Sequence, residues 1–150
     1  MRILLVGAGG VGDAIAKIAA RRSFFETMIV SDYDVTRAER TIAWIEAKHG
    51  PQGDRFVAAQ IDASDPAVVE KVAREHGATH VMNAVEPKFV MPIFEGAKAA
   101  GADYMDMAMS LSQPHADEPF AKTGVKLGDE QFAVADEWEG AGRLALVGMG

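Results

Sequence analysis

A short β-like run, Arg2–Val6 (RILLV), breaks into Gly7-Ala8-Gly9-Gly10-Val11-Gly12, and an apolar stripe at helical spacing (Ala14, Ile15, Ile18, Ala19) follows at once. This strand–glycine turn–helix order limits the chain more than any other feature. Three glycines at that spacing let a strand reverse tightly into a helix, bring the backbone close to a ligand, and seat the helix on the sheet. The N–H groups at the helix start, with the positive end of its dipole, form an anion-binding site. The pattern predicts a dinucleotide pyrophosphate held on Gly7, Gly9, Gly10, Val11 and Gly12.

The rest of the chain repeats the alternation. Strands are predicted at Thr27–Ser31, Arg55–Ile61, Thr79–Asn83, Asp103–Met107 and Leu144–Val147. Helices are predicted at Asp13–Arg22, Thr36–Lys48, Pro66–His76 and Phe89–Ala100, with one more inside Val125–Gly140. Ser64 or Asp65 caps the third helix ahead of Pro66, and Gly77 closes it. Ser110–Glu118 is polar, contains Pro114, and reads as a loop. Six strands alternating with helices predict an α/β fold, a doubly wound and mainly parallel six-stranded Rossmann sheet. The strands are nearly continuous apolar runs, as expected of strands covered by helices on both faces. Residues 1–150 read as one dinucleotide-binding domain, with no linker dividing them.

In such sheets ligands lie beyond the carboxyl ends of the strands. Asp32 follows Gly12 by twenty residues and ends the second strand. A carboxylate there accepts hydrogen bonds from ribose hydroxyls and repels a 2′-phosphate, so the expected cofactor is NAD, with NADP as the other possibility. Arg37 is placed to meet a 2′-phosphate by folding back. Asp34 reads as a helix cap before a ligand. Tyr33 lies against the adenine or is an exposed turn residue. Asp62 and Ala63 end the third strand and contact the adenine edge or cap the next helix. Asn83, Ala84 and Val85 end the fourth strand, expected beneath the pyrophosphate and the nicotinamide ribose.

No catalytic constellation is visible, and the catalytic residues are unassigned. The chain has no cysteine, and its four histidines (His49, His76, His80, His115) form no cluster with further ligands along the chain, so no metal site is expected. Ser110 and Ser112 lack the frame of a nucleophile elbow. Tyr33 and Tyr104 are followed four residues later by Arg37 and Ala108, which removes the Tyr-x-x-x-Lys pair of short-chain reductases. His115-Ala116-Asp117-Glu118 reads as loop surface, and Met105, Met107 and Met109 as core filling. A formal charge of −7 without any Lys/Arg run argues against nucleic acid or anionic membrane as partner. No apolar run approaches the roughly 20 residues needed to span a bilayer, and no leader is visible. A cytoplasmic protein is expected.

Several stretches together resemble the saccharopine dehydrogenase-like family: ILLVGAGGVG (3–12), VSDYD (30–34), QIDASD (60–65), HVMNAVEP (80–87) and GADYMDMA (101–108). The resemblance implies an oxidoreductase that moves hydride between a nicotinamide and a C–N bond of a small amino-acid-derived substrate. It implies that Gly7, Gly9 and Gly12 hold the pyrophosphate, Asp32 the adenosine ribose, and Ala84–Val85 the nicotinamide region. Asp106 matches a recurrent family aspartate with a structural or domain-junction role. Some NADP-using members lack the acid that Asp32 supplies. The family's substrate domain has no counterpart in these 150 residues, so the isolated chain is expected to bind cofactor without turnover; a homodimer is possible. The alternative is a nucleotide-sensing module of the potassium-transport type, which shares the glycine turn and the acid. Against it, Gln60-Ile61-Asp62 stands where such modules usually have Gly-Asp-Ala, and Ser110–Lys126 is long for a compact sensor.

Overall fold

Leu4 and Val6 face one side of the central strand while Ile3 and Leu5 face the other, and all four are buried. A strand apolar on both sides has to lie inside a sheet covered on both faces. The computed structural model describes residues 1–150 and places this strand, β1 (Arg2–Val6), at the centre of a six-stranded, all-parallel sheet in the order β3-β2-β1-β4-β5-β6. The other strands are β2 (Thr27–Asp32), β3 (Phe56–Gln60), β4 (His80–Asn83), β5 (Asp103–Asp106) and β6 (Ala145–Leu146). The predicted six-stranded α/β fold is therefore the observed one.

Six helices complete it: α1 (Gly10–Ala19), α2 (Val35–His49), α3 (Pro66–Glu75), α4 (Val90–Ala100), α5 (Asp129–Phe132) and α6 (Ala135–Gly140). Asp34 caps α2 by accepting the Thr36 N–H at 3.1 Å, and Asp65 caps α3 by accepting the Ala67 N–H at 2.8 Å. Gly101 ends α4 in the left-handed conformation.

Parallel neighbours need right-handed crossovers, so a reversal of strand order moves the helices to the opposite face. One core joins α1 and α2 to Ile3, Leu5, Met28 and Val30. The other joins α3, α4 and α6 to Leu4, Val6, Ile29, Val81 and Tyr104. The same rule corrects one expectation. His80, Met82, Asp103 and Met105 point to the face that α1 and α2 cover, at its edge, where Met82 is the only one of the four packed on their core, and all four stay half-buried. Met107 and Met109, expected as core filling, are also half-buried, as they lie on the irregular exit of β5.

Other boundaries shift for local reasons. α1 starts at Gly10, not Asp13, because the glycines themselves form its first turn. The helix expected from Phe89 is preceded by a 3-10 turn at Pro87–Phe89. The single helix expected within Val125–Gly140 is two short ones. Residues 107–128 form an irregular excursion pinned by one antiparallel bridge between Gln113 and Val125.

Candidate functional site

The turn after β1 is built by crowding. Gly7 has φ +97°, which L side chains rarely adopt, and a Cβ there would sit 2.4 Å from Val85 Cγ1. A Cβ on Gly12 would sit 1.8 Å from the Gly7 carbonyl oxygen, a backbone atom. These two glycines are required by the protein itself. Gly9 differs: a Cβ there would meet nothing within 4 Å, and its φ of −75° suits any residue. Its bare backbone faces open space at the α1 N-terminus. The N–H groups of Gly10, Val11 and Gly12 find no acceptor in the chain; the Asp13 N–H is the first that does, donating to the Gly9 carbonyl at 2.8 Å.

A cleft of about 490 Å³ opens over this turn. Of the residues expected at the ligand, Gly7, Gly9, Gly10, Val11, Asp32, Tyr33, Asp62, Ala63, Ala84 and Val85 line it. Two lie beneath it. Gly12 is packed on Gly7, and Asn83 is buried with its Oδ1 accepting the Val85 N–H at 3.0 Å. Val6, Ile61, Arg37, Glu86 and Phe89 complete the lining. Ile61 and Phe89 went unassigned in the sequence; the strand-end rule covers Ile61, whereas Phe89 enters through the 3-10 turn.

At the β2 end the Asp32 carboxylate accepts two backbone N–H groups, Ala8 at 2.8 Å and Asp34 at 3.0 Å. A carboxylate offers about four lone-pair positions, so two remain for hydroxyl donors. Tyr33 is exposed at the cleft rim, where the adenine and turn readings both fit. Asp62 caps its own turn, accepting from the Ser64 N–H at 3.0 Å and the Ser64 hydroxyl at 2.6 Å; those hydrogen bonds hold its carboxyl below the usual range. Asp34 behaves alike through Thr36.

A second hollow, about 380 Å³, adjoins the cleft between α1 and α2 and shares Gly9, Gly10 and Arg37 with it. Asp13, Lys17 and Arg40 also line it. Lys17 is engaged with Asp13 at 2.7 Å and lies over the Trp44 ring, whereas Arg37 stands 3.9 Å from Asp34 and is half exposed. His115 is occupied structurally, its Nδ1 accepting the N–H groups of Asp117 and Glu118. No group of three or more His, Cys, Asp or Glu is placed to hold a metal, and no helix is long and apolar enough to cross a membrane.

A bare glycine at the helix start, free N–H groups and an acid at the second strand end together fit a dinucleotide. The sequence profile described as saccharopine dehydrogenase NADP binding domain matches residues 3–146. The chain belongs to that family. As a saccharopine dehydrogenase NADP binding domain it is an NAD(P)-binding fold of oxidoreductases. It is 26% identical over 149 residues to a carboxyaminopropylagmatine dehydrogenase from Synechocystis, covering 99% of this chain and 34% of that protein. It is 26% identical over 153 residues to a carboxynorspermidine synthase from Vibrio cholerae, covering 100% of this chain and 36% of that one. The family domain thus spans about a third of the curated relatives it matches. Among solved structures, apo saccharopine dehydrogenase (L-Glu forming) from Saccharomyces cerevisiae superposes with a TM-score of 0.68 at 15% identity, over 99% of this chain and 27% of that one, a likeness of fold.

Proposed function

We propose that this chain is the NAD-holding part of an oxidoreductase that moves hydride between the nicotinamide and a C–N bond of a small amino-acid-derived substrate. The observation that carries the binding site is Gly9, bare toward the cleft where the chain itself has no need of a glycine. When bound, the dinucleotide supplies the hydride chemistry. Gly9, Gly10 and Val11 present N–H groups to the pyrophosphate, and Asp32 keeps acceptor capacity for the adenosine ribose. The names of the two curated relatives, for carboxyaminopropylagmatine and carboxynorspermidine, support an amine-derived, carboxylated substrate.

The lining holds no group suited to moving the substrate's proton. Asp32, Tyr33 and Arg37 belong to the adenosine end, Asp62 caps its turn, and Glu86 pairs with Lys88 at 2.9 Å on the surface. That group and the substrate contacts belong to a part of the enzyme beyond these 150 residues, and the isolated chain binds without turnover. The sensor alternative rests on the same turn and acid, with no further observation in its favour.

Cofactor choice has a second reading. Asp32 opposes a 2′-phosphate, but Arg37 and Arg40 line the adjoining hollow, and the family is described by NADP. Calorimetric titration of the chain with NAD⁺ and NADP⁺ decides. Tighter NAD⁺ supports the reading; tighter NADP⁺ assigns the hollow to the 2′-phosphate; binding of neither removes the dinucleotide site.

A further inference from the structure

The floor of the cleft is wired into a buried polar chain. Asn83 on β4 pairs in register with Asp106 on β5, and Tyr104, two residues earlier on β5, shares their face of the sheet. Each of the three is at most 2% exposed. Asn83 takes the Val85 N–H on its Oδ1 and donates its Nδ2 to the Tyr104 hydroxyl at 3.1 Å. Tyr104 donates to Asp106 Oδ2 at 2.9 Å. Asp106 also accepts Gln131 Nε2 at 2.8 Å and, on its other oxygen, the Gly148 N–H at 2.7 Å. Gln131 Oε1 in turn accepts the Ser110 N–H at 2.8 Å.

A buried carboxylate without a cationic partner is costly, and an apolar replacement of similar volume commonly matches or exceeds it in stability. Stability alone is thus a weak reason for this chain of groups, whereas direction is a good one. Each hydrogen bond fixes the next donor, and the last fixes the Val85 N–H. Val85 in turn crowds Gly7, whose missing Cβ would lie 2.4 Å from it. A shift of Val85 therefore reaches the glycine turn itself.

We infer that Asn83, Tyr104 and Asp106 are positioning residues that hold the Ala84–Val85 floor in register for the nicotinamide half of the dinucleotide and tie that floor to the segment beyond β6. This rests on the dinucleotide reading of the cleft. The adenosine half is set at the β2 end by Asp32, which meets the glycine turn from the other side through the Ala8 N–H. The two halves of the ligand are therefore held by different networks, which meet only at the glycine turn.

The test compares NAD⁺ with adenosine, which fills the adenosine end without a phosphate on the glycine turn, on the full chain. Tyr104→Phe keeps the ring packed between Phe94 and Trp138 and removes both hydroxyl contacts. NAD⁺ affinity is expected to fall about three- to tenfold, the worth of about one hydrogen bond, while adenosine affinity stays unchanged. Amide exchange at Val85 should quicken in the same variant. Asn83→Ala leaves the Tyr104–Asp106 bond in place and has to reproduce the split; it decides the matter if Tyr104→Phe fails to fold. Ile93→Val, a core change outside the chain of hydrogen bonds, should lower the melting temperature and spare both affinities. An equal loss of both ligands, or no loss of either, overturns the inference while leaving the cleft a dinucleotide site. A wild-type chain that binds neither ligand removes the site and the inference together.

Discussion

The Asp32 carboxylate meets the Ala8 N–H at 2.8 Å, so the acid at the end of β2 is already tied to the glycine turn without any ribose. Its other oxygen holds Asp34, the cap of α2. Asp32 therefore shapes the site as well as facing the ligand. Asp32→Ala should lose about 1–2 kcal/mol of stability, the range for hydrogen bonds to a charged group with some exposure, and should weaken NAD⁺ and AMP together. Urea unfolding and calorimetry check this. A variant as stable as wild type would show that the Ala8 contact contributes nothing.

Two glycines of the turn should respond oppositely to the same change. Gly9→Ala adds a methyl to open space and should leave stability within about 0.5 kcal/mol of wild type, yet weaken NAD⁺ tenfold or more by occupying pyrophosphate space. Gly12→Ala drives a Cβ to within 1.8 Å of the Gly7 carbonyl oxygen. It should cost about 1–3 kcal/mol or more, as overpacking does. Thermal melts with a parallel NAD⁺ titration separate the cases; a destabilised Gly9→Ala that keeps its affinity would contradict this division.

Arg37 distinguishes the cofactors. It lines both the cleft and the hollow beside it, and its single ion pair is a loose one with Asp34 at 3.9 Å. Arg37→Glu should abolish whatever NADP⁺ binding the chain has and change NAD⁺ affinity less than threefold, roughly the scale of a surface charge effect. Equal loss of both cofactors would place Arg37 at the shared adenosine moiety instead.

Burial pushes the Tyr104 hydroxyl far above its ordinary value, with the neighbouring Asp106 adding to the rise against the opposing Asn83 hydrogen bond. The folded value is raised, so the stability this group contributes is complete below the unfolded value near 10.0 and is lost as pH climbs past it. Above that point the unfolded chain releases a proton that the folded chain retains. Stability should then fall by about 1.4 kcal/mol per pH unit from this residue. Urea midpoints followed from neutral to alkaline pH should show that slope in wild type and a shallower one in Tyr104→Phe. Identical slopes would mean that Tyr104 ionises without unfolding.

The core should be most sensitive where three rings meet. Phe94 on α4 is 2% exposed and packs against Tyr104 and Trp138, with centroids 5.1 and 4.8 Å away. Phe94→Ala should cost about 3–5 kcal/mol, enough to threaten a domain of ordinary stability. A loss under about 1 kcal/mol, read from denaturant unfolding, would mean that the site collapses around the deletion.

The sequence alone determined what depends on neighbours along the chain. The run from Arg2 to Val6, the spacing Gly7–Gly9–Gly12, Asp34 as a cap, Ser64 or Asp65 as the next one, and Gly77 as a stop are local signals, because turns and helix ends are made by residues a few positions apart. The doubly wound parallel sheet followed too, since right-handed crossovers leave few ways to wind such a chain. What depends on contacts between distant segments needed the tertiary structure. Gly9 and Gly12 are the same residue type three positions apart, and only the fold puts a carbonyl against one and open space beside the other. Asp32 reads as a ribose acceptor, and only the packing of β2 beside β1 reveals that it also holds Ala8. Asn83, Tyr104 and Asp106 lie on two strands more than twenty residues apart, and no pattern in the chain announces that register and burial join them into one hydrogen-bonded line beneath the cleft.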